Sequence, residues 1–317
     1  MTLPDIQILR AGTRPSALAR CQTQQVIDSL QAAWPQLNCE SVVITTTGDR
    51  NLTQPLPEIG GKGVFTEQLE DELRLGHIDF AVHSLKDLPI NDSAGLTIAA
   101  IGQREDARDV LVSAQGWTFA SLPQGARVGT SSLRRAAQLK AARADLTIVP
   151  LRGNIDTRLR KAQLDDYDAI VLAAAGLVRL GLMDRVTEYL PFELMLPAPG
   201  QAALALQARK GDEAVCRILA VVDDIRTRSA VTAERCFLNA LGGGCSAPVA
   251  AYAQDAYAQD AYAQRLSDGN GLLVMTGLVA AVDGSQVIRV SGEGHDPERL
   301  GAELAREALN KGAGKLL

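Results

Sequence analysis

The chain has 317 residues, of which 46% are hydrophobic and 22% are charged, as expected for a globular protein of two or three domains. Its formal net charge of −5 argues against a protein that binds polyanions through its overall charge. No apolar run approaches the roughly 18 residues that a membrane span needs, and the N-terminal segment lacks the pattern of a signal peptide. We therefore expect a cytoplasmic protein that does not bind membranes.

The five cysteines are widely spread and lie at positions 21, 39, 216, 236 and 245. An odd number of cysteines without an export signal argues against a disulfide framework. No two cysteines form a CxxC pair, and the three histidines lack the spacing of metal ligands. We expect no metal site.

Strand and helix patterns alternate from the start of the chain. Apolar or β-branched runs predict three strands, at 6–9, 41–46 and 78–83. Helical spacing predicts one helix that has Pro15 in its first turn and ends at Pro35, and another at about 64–75. The glycine- and proline-rich segment 47–63 is long for an ordinary loop, which predicts a flexible segment with a function.

The central part of the chain continues this alternation. It predicts strands at 109–112, 126–129, 146–149 and 168–172, and helices at about 131–143 and 154–164. Such alternation is typical of mostly parallel sheets with helices on both faces. Three prolines before Gly200 indicate a hinge, and a strand predicted at 202–208 can return the chain to the first domain.

The last part of the chain predicts a small α+β unit. Helices at about 212–222 and 227–240 lead into a glycine loop at 242–244 before Cys245. Strands at 272–282 and 286–292 and a helix at about 296–311 then make the α+β unit. Within it, Ala-Tyr-Ala-Gln-Asp occurs at 251–255 and at 256–260, and Ala-Tyr-Ala-Gln follows at 261–264. This alternation suits a strand extension, but we favour a tandem duplication in an exposed loop.

The strongest functional signal is a basic stretch between Arg127 and Lys161. It has a local charge of +7, from two acidic residues and nine basic ones: Arg127, Arg134, Arg135, Lys140, Arg143, Arg152, Arg158, Arg160 and Lys161. Arginine binds carboxylates and phosphates through two N–H groups at once. Arg134, Arg135 and Arg152 follow predicted strands, where open α/β sheets bind ligands. The segment 129–132 also opens a helix, whose free N–H groups can hold an anion. The pattern favours an anion site over a solvated basic surface.

Two further segments carry reactive side chains. The segment His-Ser-Leu-Lys-Asp-Leu-Pro at 83–89 ends a strand, so Lys86 and Asp87 are expected at the same site. Asp87 is either a charged acceptor or acid, or an ordinary turn residue. The glycines before Cys245 leave little bulk around its thiol, which makes this cysteine either a covalent attachment point or an inert residue.

Seven motifs, taken in order, resemble the porphobilinogen deaminase family, whose members are also called hydroxymethylbilane synthases. They span nearly the whole chain: Ala-Gly-Thr-Arg-Pro-Ser at 11–16, Gly-Gly-Lys-Gly at 60–63, the segment 83–89, Arg-Glu-Asp-Ala-Arg-Asp at 104–109, Gly-Thr-Ser-Ser-Leu-Arg-Arg at 129–135, Leu-Arg-Gly-Asn at 151–154 and Gly-Gly-Cys at 243–245. The resemblance implies two α/β domains of the type II periplasmic-binding-protein kind, with the binding cleft between them, and a small C-terminal α+β domain. The implied domains are 1–102 with 203–222, 103–202, and 223–317, the last of which carries the cofactor.

The resemblance also implies the reaction. A dipyrromethane cofactor is held by a thioether to Cys245. Four porphobilinogen molecules are deaminated and condensed head to tail onto it, and hydroxymethylbilane is then released by hydrolysis. The expected partner is this small-molecule substrate, with no nucleic acid and no membrane, and the expected state is a monomer.

The same resemblance assigns roles to individual residues. Cofactor binding is implied for Lys86, Asp87, Ser132, Arg134 and Arg135. Substrate binding is implied for Arg14, Ser16, Lys62, Arg152, Arg158 and Arg179. Asp87 is the implied catalytic residue, because a carboxylate can stabilise the cation formed when ammonia leaves.

Two features depart from the family pattern. Glu58, four residues before Lys62, stands where the family often has lysine, which weakens the expectation of an anion contact there. The repeat at 251–264 is not a family feature, and we expect it to project from the third domain away from catalysis.

Two other functions compete with this interpretation. A non-enzymatic solute-binding protein would have the same fold but would need export. A nucleic-acid binder would use the basic stretch, yet that stretch contains no aromatic residue to stack on bases.

Overall fold

The computed structural model describes residues 8–50, 63–90, 93–242, 247–256 and 271–317. The chain falls into two compact units. The first comprises Met1–Arg104 and Ala203–Asp224, and the second comprises Glu105–Ala202 and Ile225–Leu317. The described residues form three β-sheets, one in the first unit and two in the second.

The first unit is built on a five-stranded sheet. Its strands are β1 (Ile8–Thr13), β2 (Asn38–Val43), β3 (Phe80–Ser84), β4 (Leu96–Ile101) and β10 (Leu204–Arg209), in the order β2-β1-β3-β10-β4. The neighbours β2, β1 and β3 are parallel, and β10 is antiparallel to both β3 and β4. The predicted return of the chain to the first domain after the hinge is confirmed by β10.

The helices of the first unit are α1 (Ala17–Ala33), α2 (Thr47–Arg50), α3 (Glu67–Arg74) and α7 (Glu213–Leu219). Helix α1 begins where the Ser16 hydroxyl accepts a hydrogen bond from the Ala19 N–H at 3.2 Å. Pro15 therefore precedes the cap and is not in the first turn, so that detail of the prediction was wrong. Val26 and Leu30 of α1 are buried in the core against the sheet.

The second unit contains a second five-stranded sheet. Its strands are β5 (Asp109–Val112), β6 (Arg127–Gly129), β7 (Thr147–Val149), β8 (Ala169–Ala173) and β9 (Glu188–Tyr189), in the order β7-β6-β8-β5-β9. The helices that follow β6, β7 and β8 are α4 (Leu133–Ala142), α5 (Ile155–Lys161) and α6 (Ala174–Arg179). β6 is parallel to β7 and β8, and β5 is antiparallel to β8 and β9.

The two five-stranded sheets have equivalent topologies. In each sheet three parallel strands lie side by side, with the earliest in the chain at their centre: β2-β1-β3 in the first and β7-β6-β8 in the second. The fourth strand is antiparallel to both of its neighbours, and the fifth runs parallel to the first three. That antiparallel strand is β10 in the first sheet and β5 in the second, and each follows the passage of the chain from the other unit. The predicted fold class of two related α/β domains is confirmed.

The C-terminal part of the second unit is a smaller α+β arrangement. The antiparallel strands β11 (Val249–Asp255), β12 (Leu273–Ala280) and β13 (Val287–Gly294) are packed with α8 (Ile225–Ala240) and α9 (Pro297–Asn310). Helices α8 and α9 approach closely at Gly301, where a Cβ atom would lie 2.2 Å from the Ala233 carbonyl oxygen. The strands and helices predicted at 272–282, 286–292, 227–240 and 296–311 are confirmed as β12, β13, α8 and α9, whereas β11 was favoured as a loop. The separation of this part as a third domain stays a prediction.

Four segments differ from their predicted structure. The first copy of the repeat is not an exposed loop, because residues 251–255 form most of β11 and Ala251 and Ala253 are buried. Residues 257–264 of the later copies lie outside the described residues. Residues 47–50 of the segment predicted to be flexible form α2, and residues 51–62 lie outside the described part. Strands β4 and β9 were not predicted.

Candidate active site

A serine joins the two loops that follow β6 and β7. The Ser131 hydroxyl donates to the Leu151 carbonyl oxygen and accepts from the Leu151 N–H, both at 3.0 Å. The next residue, Ser132, caps α4 by accepting from the Arg135 N–H at 3.4 Å. These contacts fix the start of α4 beside the loop that carries Arg152.

Arg134 and Arg135 in the first turn of α4 are both buried. Each donates through a terminal nitrogen to a different oxygen of Asp109, Arg134 at 2.8 Å and Arg135 at 2.7 Å. Their other terminal nitrogens donate to the carbonyl oxygens of Leu196 at 2.6 Å and Val171 at 3.1 Å, respectively. The Nε–H of Arg135 is buried and has no partner within the described residues. Burial lowers the pKa of Arg134, and the Arg135 charge adds to this, while Asp109 opposes it.

The three other arginines predicted to bind substrate in this unit lie on or near α5 and α6. Arg158 donates from Nε to the Gly153 carbonyl oxygen at 2.7 Å, and Arg179 donates to the Ala202 carbonyl oxygen at 2.7 Å. Arg152 has a terminal nitrogen that is buried without a hydrogen-bond partner in the described part of the chain. A buried cationic N–H that lacks an acceptor is costly, and a ligand anion would supply the acceptor.

Arg14, directly after β1, is held by two neighbours. Its Nε and a terminal nitrogen bond the two oxygens of Asp49 at 3.2 and 2.5 Å, and its guanidinium carbon lies 4.2 Å from the centre of the Phe65 ring. The Phe65 ring lies against Gly48, where a Cβ atom would come within 2.1 Å of it. The nearby Ser16, also a predicted substrate ligand, uses its hydroxyl to cap α1.

The segment after β3 presents Lys86 and Asp87 on a short 3-10 turn. Asp87 is exposed, Lys86 is half-buried, and no hydrogen bond or ion pair within the described residues holds the Asp87 carboxylate. His83, at the end of the same strand, is buried and contacts the Gln207 side chain at 3.1 Å. Burial lowers the pKa of His83 to about 4, so this histidine is neutral near pH 7. Asp87 is therefore the acidic group that this loop offers to a ligand.

Comparisons with known proteins agree over almost the whole chain. Residues 9–217 match the family model described as porphobilinogen deaminase, dipyromethane cofactor binding domain, and residues 229–310 match that of the porphobilinogen deaminase C-terminal domain. A relative named porphobilinogen deaminase in Roseiflexus castenholzii is 50% identical over 310 residues, covering 98% of both chains. Another of that name in Moorella thermoacetica is 48% identical over 311 residues, covering 98% of this chain and 95% of the relative.

The chain belongs to the porphobilinogen deaminase family. It is also similar to two solved structures at a much lower level. The methionine binding protein MetQ gives a TM-score of 0.42 at 11% identity, covering 67% of this chain and 90% of that one. The periplasmic VFT2 domain of Bordetella pertussis BvgS gives 0.41 at 17% identity, covering 69% and 87%. The fold class therefore rests on the strand order of the two sheets.

The cofactor expected from the resemblance, dipyrromethane, is confirmed by the family model. The donors of the second unit fit such a group, because its carboxylates need N–H donors and positive charge. Two buried arginines share one aspartate there, and Arg135 and Arg152 each keep a buried N–H without an acceptor among the described residues. Which residues of this porphobilinogen deaminase family member contact the cofactor stays a prediction.

Three predicted positions lie outside the described residues: Lys62, Cys245 and Glu58. The four other cysteines are partly buried, and none forms a disulfide within the described residues. Burial raises the pKa of Cys39 to about 11 and also raises those of Cys216 and Cys236, which disfavours the reactive thiolate. These three thiols are therefore poor candidates for the covalent attachment of a cofactor.

Sequence reasoning assigned no role to Asp109, Gln201 or Asp49. Asp109 and Asp49 bind arginines predicted to hold the ligand, and Gln201 donates a hydrogen bond to Asp109. One signal was available for Asp109, since an acid that opens an otherwise apolar strand needs a buried cationic partner. The described residues contain no helix long and apolar enough to cross a membrane and no cluster of side chains suited to a metal ion.

Proposed function

We propose that this chain deaminates four porphobilinogen molecules, joins them head to tail on a bound dipyrromethane, and releases hydroxymethylbilane by hydrolysis. The reaction is the hydroxymethylbilane synthase step of tetrapyrrole biosynthesis. The observation that carries the proposal is membership of the porphobilinogen deaminase family over nearly the whole chain. We further propose that it acts as a cytoplasmic monomer.

The arginines would hold the carboxylates of the cofactor and of the lengthening chain. Each added pyrrole brings two carboxylates, so the number of anionic groups rises during the reaction. Arg134 and Arg135 share one carboxylate among the described residues, and Arg152 has a buried nitrogen that no described acceptor binds. These observations support the role, because a guanidinium group can bind a ligand carboxylate through paired N–H donors. In this proposal Ser132, Arg134 and Arg135 bind the cofactor with Lys86. Substrate carboxylates are bound by Arg14, Ser16, Lys62, Arg152, Arg158 and Arg179.

Asp87 would act on the reacting pyrrole. Its carboxylate accepts from the pyrrole N–H and stabilises the positive charge that develops when ammonia leaves. The exposure of this carboxylate, and the absence of a partner for it within the described residues, support the role, since nothing must be displaced before substrate binds. When bound, the dipyrromethane supplies the primer to which the pyrroles are added.

Cys245 would hold the cofactor by a thioether. The intact mass of active protein should exceed that of the 33.7 kDa polypeptide by two linked pyrroles. Cys245→Ser should remove both the added mass and the turnover. The partly buried Cys216, changed to serine, is the matched control and should keep both. Active protein with the mass of the polypeptide alone would overturn the mechanism.

The competing function of a solute-binding protein is not favoured by the comparisons. The two functions differ in a simple measurement. Incubation with porphobilinogen should release ammonia in step with substrate loss. Stoichiometric binding of porphobilinogen without ammonia release would instead identify a binding protein.

A further inference from the structure

Asp109 makes buried contacts with two arginines and with Gln201, which lies shortly before β10. Asp109 is the first residue of β5 and is fully buried. Its Oδ2 accepts from Arg134, and its Oδ1 accepts from both Arg135 and the Gln201 side chain, the latter at 2.9 Å. Gln201 is itself fully buried, and its amide also donates to the Ala107 carbonyl oxygen at 2.8 Å. One carboxylate thus sets the positions of three side chains.

The charges of this cluster do not balance. Within the described part of the chain, two guanidinium groups share a single carboxylate, which leaves a formal charge of +1 among side chains that are at most 7% exposed. An uncompensated buried charge is costly, and so is a buried N–H without an acceptor. The Arg135 Nε–H is such a group within the described residues. Both observations indicate that an anion completes the cluster.

We propose that Asp109 is a positioning residue that, aided by Gln201, orients Arg134 and Arg135 to receive a carboxylate of the cofactor. This inference rests on the proposed function. Asp109 occupies one edge of each guanidinium group and leaves the surplus charge and the Arg135 Nε–H for the ligand. If residue 201 carried a carboxylate, that second negative charge would neutralise the cluster and compete with the ligand. The neutral Gln201 amide holds Asp109 and leaves the positive charge for the ligand.

The decisive variant is Asp109→Asn, which keeps the shape of the side chain and removes its charge. The Asn amide nitrogen would face one of the two arginines with a donor, so the pair loses its shared acceptor. We expect the fraction of protein that carries the added mass of two pyrroles to fall at least about tenfold, the factor that corresponds to 1.4 kcal/mol. Asp145→Asn is the matched control, since Asp145 also binds an arginine in two places, Arg143 at 3.0 and 2.7 Å, but lies apart from this cluster. It should load like the wild type.

A purely structural role would lower stability without changing the response to the cofactor. We therefore compare the melting temperature of each loaded protein with that of the same protein carrying Cys245→Ser. A positioning role predicts that Asp109→Asn shrinks this difference, whereas a structural role lowers both temperatures and preserves it. If Asp109→Asn does not fold, Gln201→Met decides, because it removes one donor to Asp109 at similar volume and should reduce loading by a smaller factor.

The outcomes separate this inference from the function on which it rests. Wild-type protein without the added mass would overturn the proposed function. Loaded wild type beside a folded Asp109→Asn, with equal loading and an equal melting difference, would overturn the positioning role alone. Where only Gln201→Met folds, unchanged loading and an unchanged melting difference in that variant would overturn it as well.

Discussion

The two α/β sheets have the same strand order but differ in the charge that follows their parallel strands. In the first sheet, the arginine after β1 is neutralised by Asp49 and rests on an aromatic ring. In the second sheet, Arg134 and Arg135 after β6 share one acid, and Arg152 after β7 has a buried nitrogen without a partner within the described residues. The equivalent loops thus differ in charge balance, although the backbone topology is the same.

The third parallel strands extend this contrast. β3 is followed by the exposed acid Asp87, whereas β8 leads into α6 with Arg179. One topology therefore presents a carboxylate without a partner among the described residues in the first unit, and two arginines that share one acid in the second. A substrate that carries carboxylates and develops positive charge during reaction needs both. Variants in either unit can test this difference in charge.

Asp87→Asn should have the largest effect. Loss of the carboxylate should lower the turnover number by about 10²- to 10⁴-fold, the usual contribution of a positioned acid or base. The melting temperature should stay within a few degrees of the wild type, because Asp87 is exposed and holds no described partner. Steady-state kinetics with calorimetry would check both, and near-normal turnover would remove Asp87 from the chemistry.

Arg152→Gln tests the buried guanidinium nitrogen after β7 that has no partner among the described residues. Loss of a charge-assisted hydrogen bond to a carboxylate, worth roughly 1.5 to 3 kcal/mol, should raise the KM for porphobilinogen at least tenfold. The free energy of unfolding should not fall, because the buried nitrogen gives up no partner among the described residues. Arg160→Gln is the control, since Arg160 is exposed on the same segment and bonds only Thr157, at 3.4 Å, within the described residues. Equal KM values for the two variants would contradict the assignment.

Asp49→Asn tests the balanced pair of the first unit. Burial alone would raise the pKa of Asp49, but hydrogen bonds from Arg14 and Thr46 outweigh it and hold that pKa below its usual value. The ionised group therefore stabilises the fold above the unfolded pKa of about 3.9, and this stability is lost as the pH falls through the lower folded value. Urea unfolding at pH 7 should show a loss of about 1 to 3 kcal/mol that disappears in acid.

The control for that experiment is Asp71→Asn, which breaks a more exposed pair with Arg74 on α3. Its cost should stay below about 1 kcal/mol at pH 7, as is usual for surface pairs. If both variants lose the same free energy, the Arg14–Asp49 pair is an ordinary surface contact, and the contrast between the sheets weakens.

Ala202→Gly should have the smallest effect. Ala202 is the only non-glycine with a positive φ, 74°, within the described residues, and its carbonyl oxygen accepts from Arg179. Glycine removes the cost of this backbone conformation, so the free energy of unfolding should rise by up to about 1 kcal/mol. The neighbouring Ala203→Gly has no such cost to relieve and should instead be destabilising. Unfolding curves of the two variants should shift in opposite directions.

The sequence by itself determined the family, the α/β alternation and the identity of the charged side chains. Periodicity located the strands of the second sheet to within a residue or two, since buried strands read as short apolar runs. It missed β4 and β9, and it favoured a loop for residues that form β11. The alanines of that first repeat copy are buried and Tyr252 lies 4.2 Å from the Phe192 ring, which are contacts with segments distant in the chain.

Only the tertiary structure decided which charges are paired. The charge of +7 between Arg127 and Lys161 cannot show that Arg134 and Arg135 share Asp109 from another strand. The motif around Arg14 likewise cannot show that an acid 35 positions away neutralises that arginine. Local sequence encodes hydrophobic period and helix caps, because those depend on neighbours in the chain. Ion pairing depends on which strands the fold sets side by side, and that order is a property of the whole sheet.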